Sequence, residues 1–145
     1  MKNYFLIYLI GLFLVFGCNS TDEKTLPKET YVQDNFTKNE VTITMRDGVK
    51  LHTTIYSPRD KSVKYPILMQ RTPYSSAPYG AGKMKTKIGP NVHLMKDGYI
   101  VVYQDVRGRW MSEGVYDNMR AYIPNKKENE SDEVSDTYDT IDWLV

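Results

Sequence analysis

Pro66-Ile67-Leu68-Met69-Gln70 and Tyr99-Ile100-Val101-Val102-Tyr103 are two short apolar runs, and the way they are separated decides the fold. Each is shorter than an ordinary helix and lacks the alternation of a strand with one wet face, so each predicts a strand buried on both faces. Between them Val92 to Lys96 reads as a helix, which Gly98 closes. Antiparallel strands can be joined by a tight turn, whereas parallel strands need a crossover, so this order points to a parallel pair inside an α/β sheet.

Toward the N-terminus the pattern changes. Val41, Ile43 and Met45 alternate with Thr42 and Thr44, the period of a strand with one buried face, and Arg46-Asp47-Gly48 supplies turn residues before a second strand from Val49 to Tyr56. These predict an antiparallel hairpin, ended by Ser57-Pro58 and a charged loop to Lys64. The fold expected is therefore α/β, with a hairpin leading into a mostly parallel sheet with crossover helices.

Toward the C-terminus, Trp110 to Glu130 carries no periodic pattern and reads as a long connection of the kind that often serves function. At Ser131 a helix is expected to start, capped by that serine, with Asp132 and Glu133 in the first turn and Val134, Tyr138, Ile141 and Val145 on one face. An apolar face still building at Val145, without Gly, Pro or a basic C-cap, reads as a truncated chain.

Ahead of the hairpin lie two segments without a core. Met1-Lys2 and the uncharged apolar run Tyr4 to Phe16 form a secretory signal, with the run too short for the roughly 20 residues of a membrane span. Val15-Phe16-Gly17-Cys18 is similar to a bacterial lipobox, so the expected organisation is a lipoprotein signal peptide over residues 1–17, lipid on Cys18, and a polar tether over 18–38. That places the protein across the inner membrane and lipid-anchored in the cell envelope, in the periplasm or at the outer membrane. Cys18 is the sole cysteine, so no disulfide or cysteine metal site is expected.

Without the signal the chain holds 18 basic and 18 acidic residues, a balance that argues against nucleic acid as a partner. Charge is nevertheless lopsided. Arg59 to Lys96 has eight basic residues against one acid, and Glu128 to Asp142 has seven acids and no base, which reads as solvated surface. Asp132, Asp136 and Asp139 lack the loop arrangement of a calcium site. His52, expected to point outward from its strand, and His93, at a helix start, have no third ligand at metal spacing. No metal and no cofactor is expected.

Three segments carry a family likeness: Thr44-Met45-Arg46-Asp47-Gly48-Val49-Lys50-Leu51, then Arg71-Thr72-Pro73-Tyr74, then Asp97-Gly98-Tyr99 and Gln104-Asp105-Val106-Arg107-Gly108-Arg109 through Ser112-Glu113-Gly114. Together they are similar to the group that contains cocaine esterases, X-Pro dipeptidyl-peptidases and α-amino-acid-ester hydrolases, with the wording around Arg71 to Tyr74 most like the last of these. Tyr138-Asp139-Thr140-Ile141-Asp142-Trp143-Leu144 resembles the helix that precedes the nucleophile strand in that group. The resemblance covers residues 39–145 and implies the N-terminal part of an α/β-hydrolase domain.

What the resemblance implies chemically is acyl transfer from an ester, an amide or an X-Pro peptide by a serine, a histidine and an aspartate. No G-x-S-x-G is present, so the nucleophile is expected after Val145 and the chain alone is expected to be inactive. The resemblance gives Tyr74 the role of oxyanion-hole donor through its phenol hydroxyl; Tyr79 follows with Ser75, Ser76, Gly80 and Gly82 in a flexible loop that is expected to line the acyl pocket. Asp105 and Arg107 lie past a strand end where open α/β sheets bind ligands; they are expected to pair with each other or with loop backbone, as structural residues near the site. The partners implied are a small ester, amide or short peptide and, through Cys18, a membrane; a homo-oligomer stays open. A second reading is a lipid-anchored surface module that binds peptide or glycan without turning it over.

Overall fold

The structure, a computed structural model, describes residues 28–145; the segment expected to be a signal peptide and Cys18 lie outside that range. Four strands form one sheet in the order β1-β2-β4-β3: β1 is Phe36–Thr44, β2 Lys50–Pro58, β3 Ile67–Thr72 and β4 Ile100–Asp105. Three helices accompany them: α1 Tyr31–Asn35, α2 Val92–Lys96 and α3 Glu133–Leu144. Among the described residues no helix is long and apolar enough to cross a membrane.

The hairpin is antiparallel over nine paired positions, from Phe36 opposite Pro58 to Thr44 opposite Lys50. Asp47 Oδ1 accepts from the Val49 amide and Gly48 sits at φ +85°, so the Asp-Gly pair builds the turn in the way its sequence suggests. β2 then pairs antiparallel with β4, and β4 pairs parallel with β3. The crossover expected between the two apolar runs is therefore present, with α2 in it. Asn91 caps α2 by accepting from the Leu94 amide.

β4 is the central strand and is buried from Val101 to Asp105. β3 differs from expectation: it lies at the sheet edge among the described residues and is half exposed along most of its length. Ordered structure also begins earlier than Asn39. α1 and the first residues of β1 occupy 31–38, because Val32 and Phe36 pack into the main core with Tyr56, Ile88, Met95, Val101 and Tyr103. The end of the segment read as tether is thus part of the fold.

α3 departs most from the sequence pattern. Val134, Tyr138, Ile141 and Val145 do share a face, yet that face is exposed, while Ser135, Asp136 and Thr140 are buried. The N-cap is Asp132 rather than Ser131: its carboxylate accepts from the Ser135 amide, and Ser135 Oγ accepts from the Asp132 amide, a reciprocal capping box. Ser131 instead donates to Asp47.

The helix is docked by polar bonds. Gln104 Nε2, on β4, donates to Thr140 at 2.9 Å and to Thr53 of β2 at 3.0 Å. Arg71 from β3 reaches Gln104 Oε1 at 2.7 Å, Glu133 at 2.8 Å and Thr137 at 2.8 Å. Arg107 inserts between Asp136 at 2.6 Å and Asp47 at 2.8 Å, which joins α3 to the hairpin turn. Arg107 and Asp105 therefore do not pair with each other. Nor is the acidic stretch simply solvated: Asp132 and Asp136 are fully buried, and Asp139 binds Arg46 at 2.6 Å.

A buried charge stripped of its partner costs far more than an exposed one. Replacing Arg107 with Met leaves buried Asp136 with only the longer 3.7 Å contact of Arg71, and is expected to lower unfolding stability by about 3 to 5 kcal/mol, read from the shift of the urea midpoint. Acid should probe the capping box separately. Burial opposes the Asp132 charge, but the Lys126 ammonium and the Ile123 and Ser135 amides outweigh it and hold this carboxyl well below the usual carboxylate range. Its folded pKa is depressed, so its contribution is present above the unfolded value and is lost as pH falls; Asp132→Asn should flatten the acid limb of the stability profile below about pH 4.

Candidate active site

Each residue of Arg71-Thr72-Pro73-Tyr74 has a separate job at the carboxyl end of β3. Arg71 reaches sideways to α3, as described above. Thr72 is buried and its Oγ1 accepts from the Tyr74 amide at 3.0 Å. The carbonyl of Pro73 receives two donors from the loop after β4, Arg109 Nε at 3.1 Å and Trp110 Nε1 at 2.9 Å. Tyr74 itself is 85% exposed. A backbone fastened on every side carries a phenol that projects freely, and this is the place given to the oxyanion donor by the sequence motif.

Beyond Tyr74 the chain turns through Ser75, which holds φ +94° although it is not glycine. That region is costly for an L-residue and persists only where surrounding bonds impose it. Ser75 Oγ accepts from the Ala77 amide at 3.1 Å and lies 2.9 Å from the Tyr79 hydroxyl. The next amide, Ser76, donates to Asp105 Oδ1 at 2.7 Å.

Asp105 ends β4 opposite Thr72 and is fully buried. Its Oδ2 accepts from the Tyr79 hydroxyl at 2.8 Å and from the Met111 amide at 3.3 Å. A carboxylate can only accept, so the phenol proton points to Asp105 and the Ser75 hydroxyl must donate to the phenol oxygen. Burial, together with the Asp105 contact, raises the Tyr79 pKa above that of an ordinary tyrosine. Tyr79, read from sequence as lining the substrate pocket, thus has its hydroxyl committed to an internal chain.

Two further devices were not legible in the sequence. Lys38, with its side chain only 5% exposed, sends its ammonium to the carbonyls of Pro78 at 2.5 Å and Lys83 at 2.8 Å and pairs with Glu40 at 2.6 Å. Glu40 in turn accepts from the Gly80 amide at 3.0 Å. Lys85 reaches the Ala77 carbonyl, and its pKa is lowered by burial and by the nearby Lys38 charge. His52, expected to face outward, is buried with its ring edge-on to Tyr79 at 5.3 Å. No spacing signal announces contacts between positions 40 residues apart.

The loop after β4 is equally tied. Gly108 holds φ +69°, and a Cβ there would lie 2.1 Å from the Tyr116 amide nitrogen, so no side chain fits. Ser112 Oγ donates to the Asp105 carbonyl and accepts from the His52 amide, while Glu113 bonds Lys50 through backbone and side chain. Among the described residues no group of three His, Cys, Asp or Glu side chains is placed to hold a metal ion. The site is therefore a pair of loops, at 73–83 and 105–114, locked together at the ends of two parallel strands.

Residues 47–145 match the family model of the X-Pro dipeptidyl-peptidase (S15 family). The chain belongs to that family. Its similarity extends to the cocaine esterase of Rhodococcus sp. (strain MB1 Bresler), at 32% identity over 105 residues, covering 72% of this chain and 16% of that protein. Among solved structures, an α-amino acid ester hydrolase superimposes with a TM-score of 0.61 at 34% identity, covering 90% of this chain and 22% of that one. An aminopeptidase from the marine sediment archaeon Thaumarchaeota archaeon gives 0.56 at 36% identity, covering 86% and 21%. The chain thus spans about a fifth or less of the relatives it resembles, and the segment matched by the family model contains both loops.

The Lys38 clamp has a direct test. Lys38→Met keeps the buried stem but removes the ammonium, so the 77–83 loop should be cut by a nonspecific protease several-fold faster while the global unfolding free energy from urea titration changes by only about 1 kcal/mol or less. Unchanged cleavage would show that the loop is held by Glu40 and Lys85 alone.

Proposed function

We propose that this chain supplies the early sheet and one half of the oxyanion hole of a serine hydrolase that cleaves ester or amide bonds. The observation that carries the reading is Tyr74: a phenol hydroxyl exposed at the carboxyl end of β3, on a backbone anchored by Thr72, Arg109 and Trp110, in a chain of the S15 family. In such a reaction a serine attacks the carbonyl, a histidine moves the proton, an aspartate orients the histidine, and negative charge appears on the former carbonyl oxygen. No G-x-S-x-G motif is present among these 145 residues, so in this reading the nucleophile is not one of them.

A hydroxyl held on a rigid base suits this role for a physical reason. The donor must meet charge that exists only in the transition state, and a group that is already oriented pays no reorganisation cost when the charge forms. Exposure of the phenol leaves room for a substrate carbonyl to approach. Substrates of the kind named for its relatives, α-amino acid esters and short peptides, fit such a site, as do acyl amides. Through Cys18 the hydrolase would sit anchored in the cell envelope, facing substrates outside the inner membrane.

The alternative is a lipid-anchored module that binds peptide or glycan without turnover. In the full-length protein, labelling by a fluorophosphonate probe supports the hydrolase, and absence of labelling with retained peptide binding supports the module. Tyr74→Phe is the finer measurement: kcat on a p-nitrophenyl ester should fall about 100- to 1,000-fold with KM little changed. A variant that turns over as fast as the parent removes Tyr74 from the mechanism.

A further inference from the structure

Asp105 is a fully buried carboxylate with no lysine or arginine within ion-pair distance among the described residues. A burial of that kind is costly unless several donors converge on the charge. Three do, and they come from both loops of the site: the Ser76 amide and the Tyr79 hydroxyl from the loop after β3, and the Met111 amide from the loop after β4. Both carboxylate oxygens are engaged, and an asparagine, with one acceptor oxygen and an NH2 in place of the other, cannot accept all three, so this carboxylate is what holds the two loops in one arrangement.

The donors from the first loop follow directly on one residue in an unfavourable conformation. Ser75, next to Tyr74, sits at φ +94°, and the bonds that keep it there are Ser76 amide to Asp105 and the chain Ser75 hydroxyl to Tyr79 hydroxyl to Asp105. Relaxation of Ser75 toward negative φ would rotate the peptide that follows Tyr74. Among the described residues the phenol has no hydrogen-bond partner of its own, and it is 85% exposed, so its direction depends on the backbone from which it projects. Donation to an oxyanion is confined to a narrow range of distance, and a displacement of about 1 Å can cost about 100-fold in rate.

We propose that Asp105 is a positioning residue for Tyr74, acting through Tyr79 and Ser75 to hold the loop after β3 in the strained turn that aims the phenol. The assignment rests on the reading of Tyr74 as the oxyanion donor. Asp105 touches neither substrate nor reacting atoms; its effect on the reaction passes entirely through the geometry of residues 74–79. Tyr79 is the relay, which explains why its hydroxyl faces inward rather than into the solvent beside Tyr74.

The test is a double-mutant cycle in the full-length protein, with turnover of a p-nitrophenyl ester as the probe. Asp105→Asn should lower kcat about 10-fold with KM within about twofold, and Tyr79→Phe, which removes a single oxygen and is compatible with folding, should lower it several-fold. In a Tyr74→Phe background both losses should shrink to within about twofold, because the group being aimed is gone. Equal losses in both backgrounds would overturn the proposal in favour of a general contribution to stability, as would full activity in Asp105→Asn and Tyr79→Phe. If Tyr74→Phe alone retains full kcat, the oxyanion reading itself fails, and the proposal falls with it by a distinct result.

Discussion

Arg107 bridging Asp47 and Asp136 is the interaction on which the arrangement depends, since it joins the hairpin turn, the loop after β4 and helix α3 at one point. Burial disfavours the guanidinium charge, yet the carboxylates of Asp136 and Asp47 outweigh it and raise the Arg107 pKa above its ordinary value. Arginine suits the position because its planar fork donates to two carboxylates from different directions without losing charge. With the loop start fixed this way, Gly108 can make its tight approach to Tyr116 and the rest of the loop can fold back along β2.

The same logic governs α3. A helix packed through an apolar stripe can slide or rotate among near-equivalent contacts, whereas one packed through Gln104, Arg71 and Arg107 has a single position in which its polar groups are satisfied. One terminal nitrogen of Arg71 is the exception: it has no hydrogen-bond partner among the described residues and faces Asp136 at 3.7 Å. Orientation of α3 and of the β3 end are thus coupled, because Arg71 immediately precedes Thr72-Pro73-Tyr74.

At the site the pattern is a rigid base under a free tip. Thr72, Pro73, Ser75 and Ser76 all have backbone groups or side chains engaged, and the phenol of Tyr74 between them is left outward. Rigidity comes from charged groups, the buried Asp105 and the partly buried Lys38 with its partner Glu40, rather than from apolar packing. Such groups are worth their desolvation cost where geometry matters more than stability.

Much of this was legible in the chain itself. Alternation at Val41, Ile43 and Met45, the Asp47-Gly48 turn and the two apolar runs separated by a crossover determined a hairpin feeding a parallel pair, because strand period and turn chemistry are local properties. The motif Arg71 to Tyr74 likewise marked the position of the candidate donor. What only the tertiary structure decided was direction and partnership: which face of α3 turns inward, why Asp132 rather than Ser131 caps it, and why Tyr79, His52 and Asp105 face the interior. A hydrophobic pattern records which residues share a face but not whether a set of long-range hydrogen bonds will claim the opposite one, and bonds such as Arg107 to Asp47 or Ser76 to Asp105 join residues that no sequence period connects.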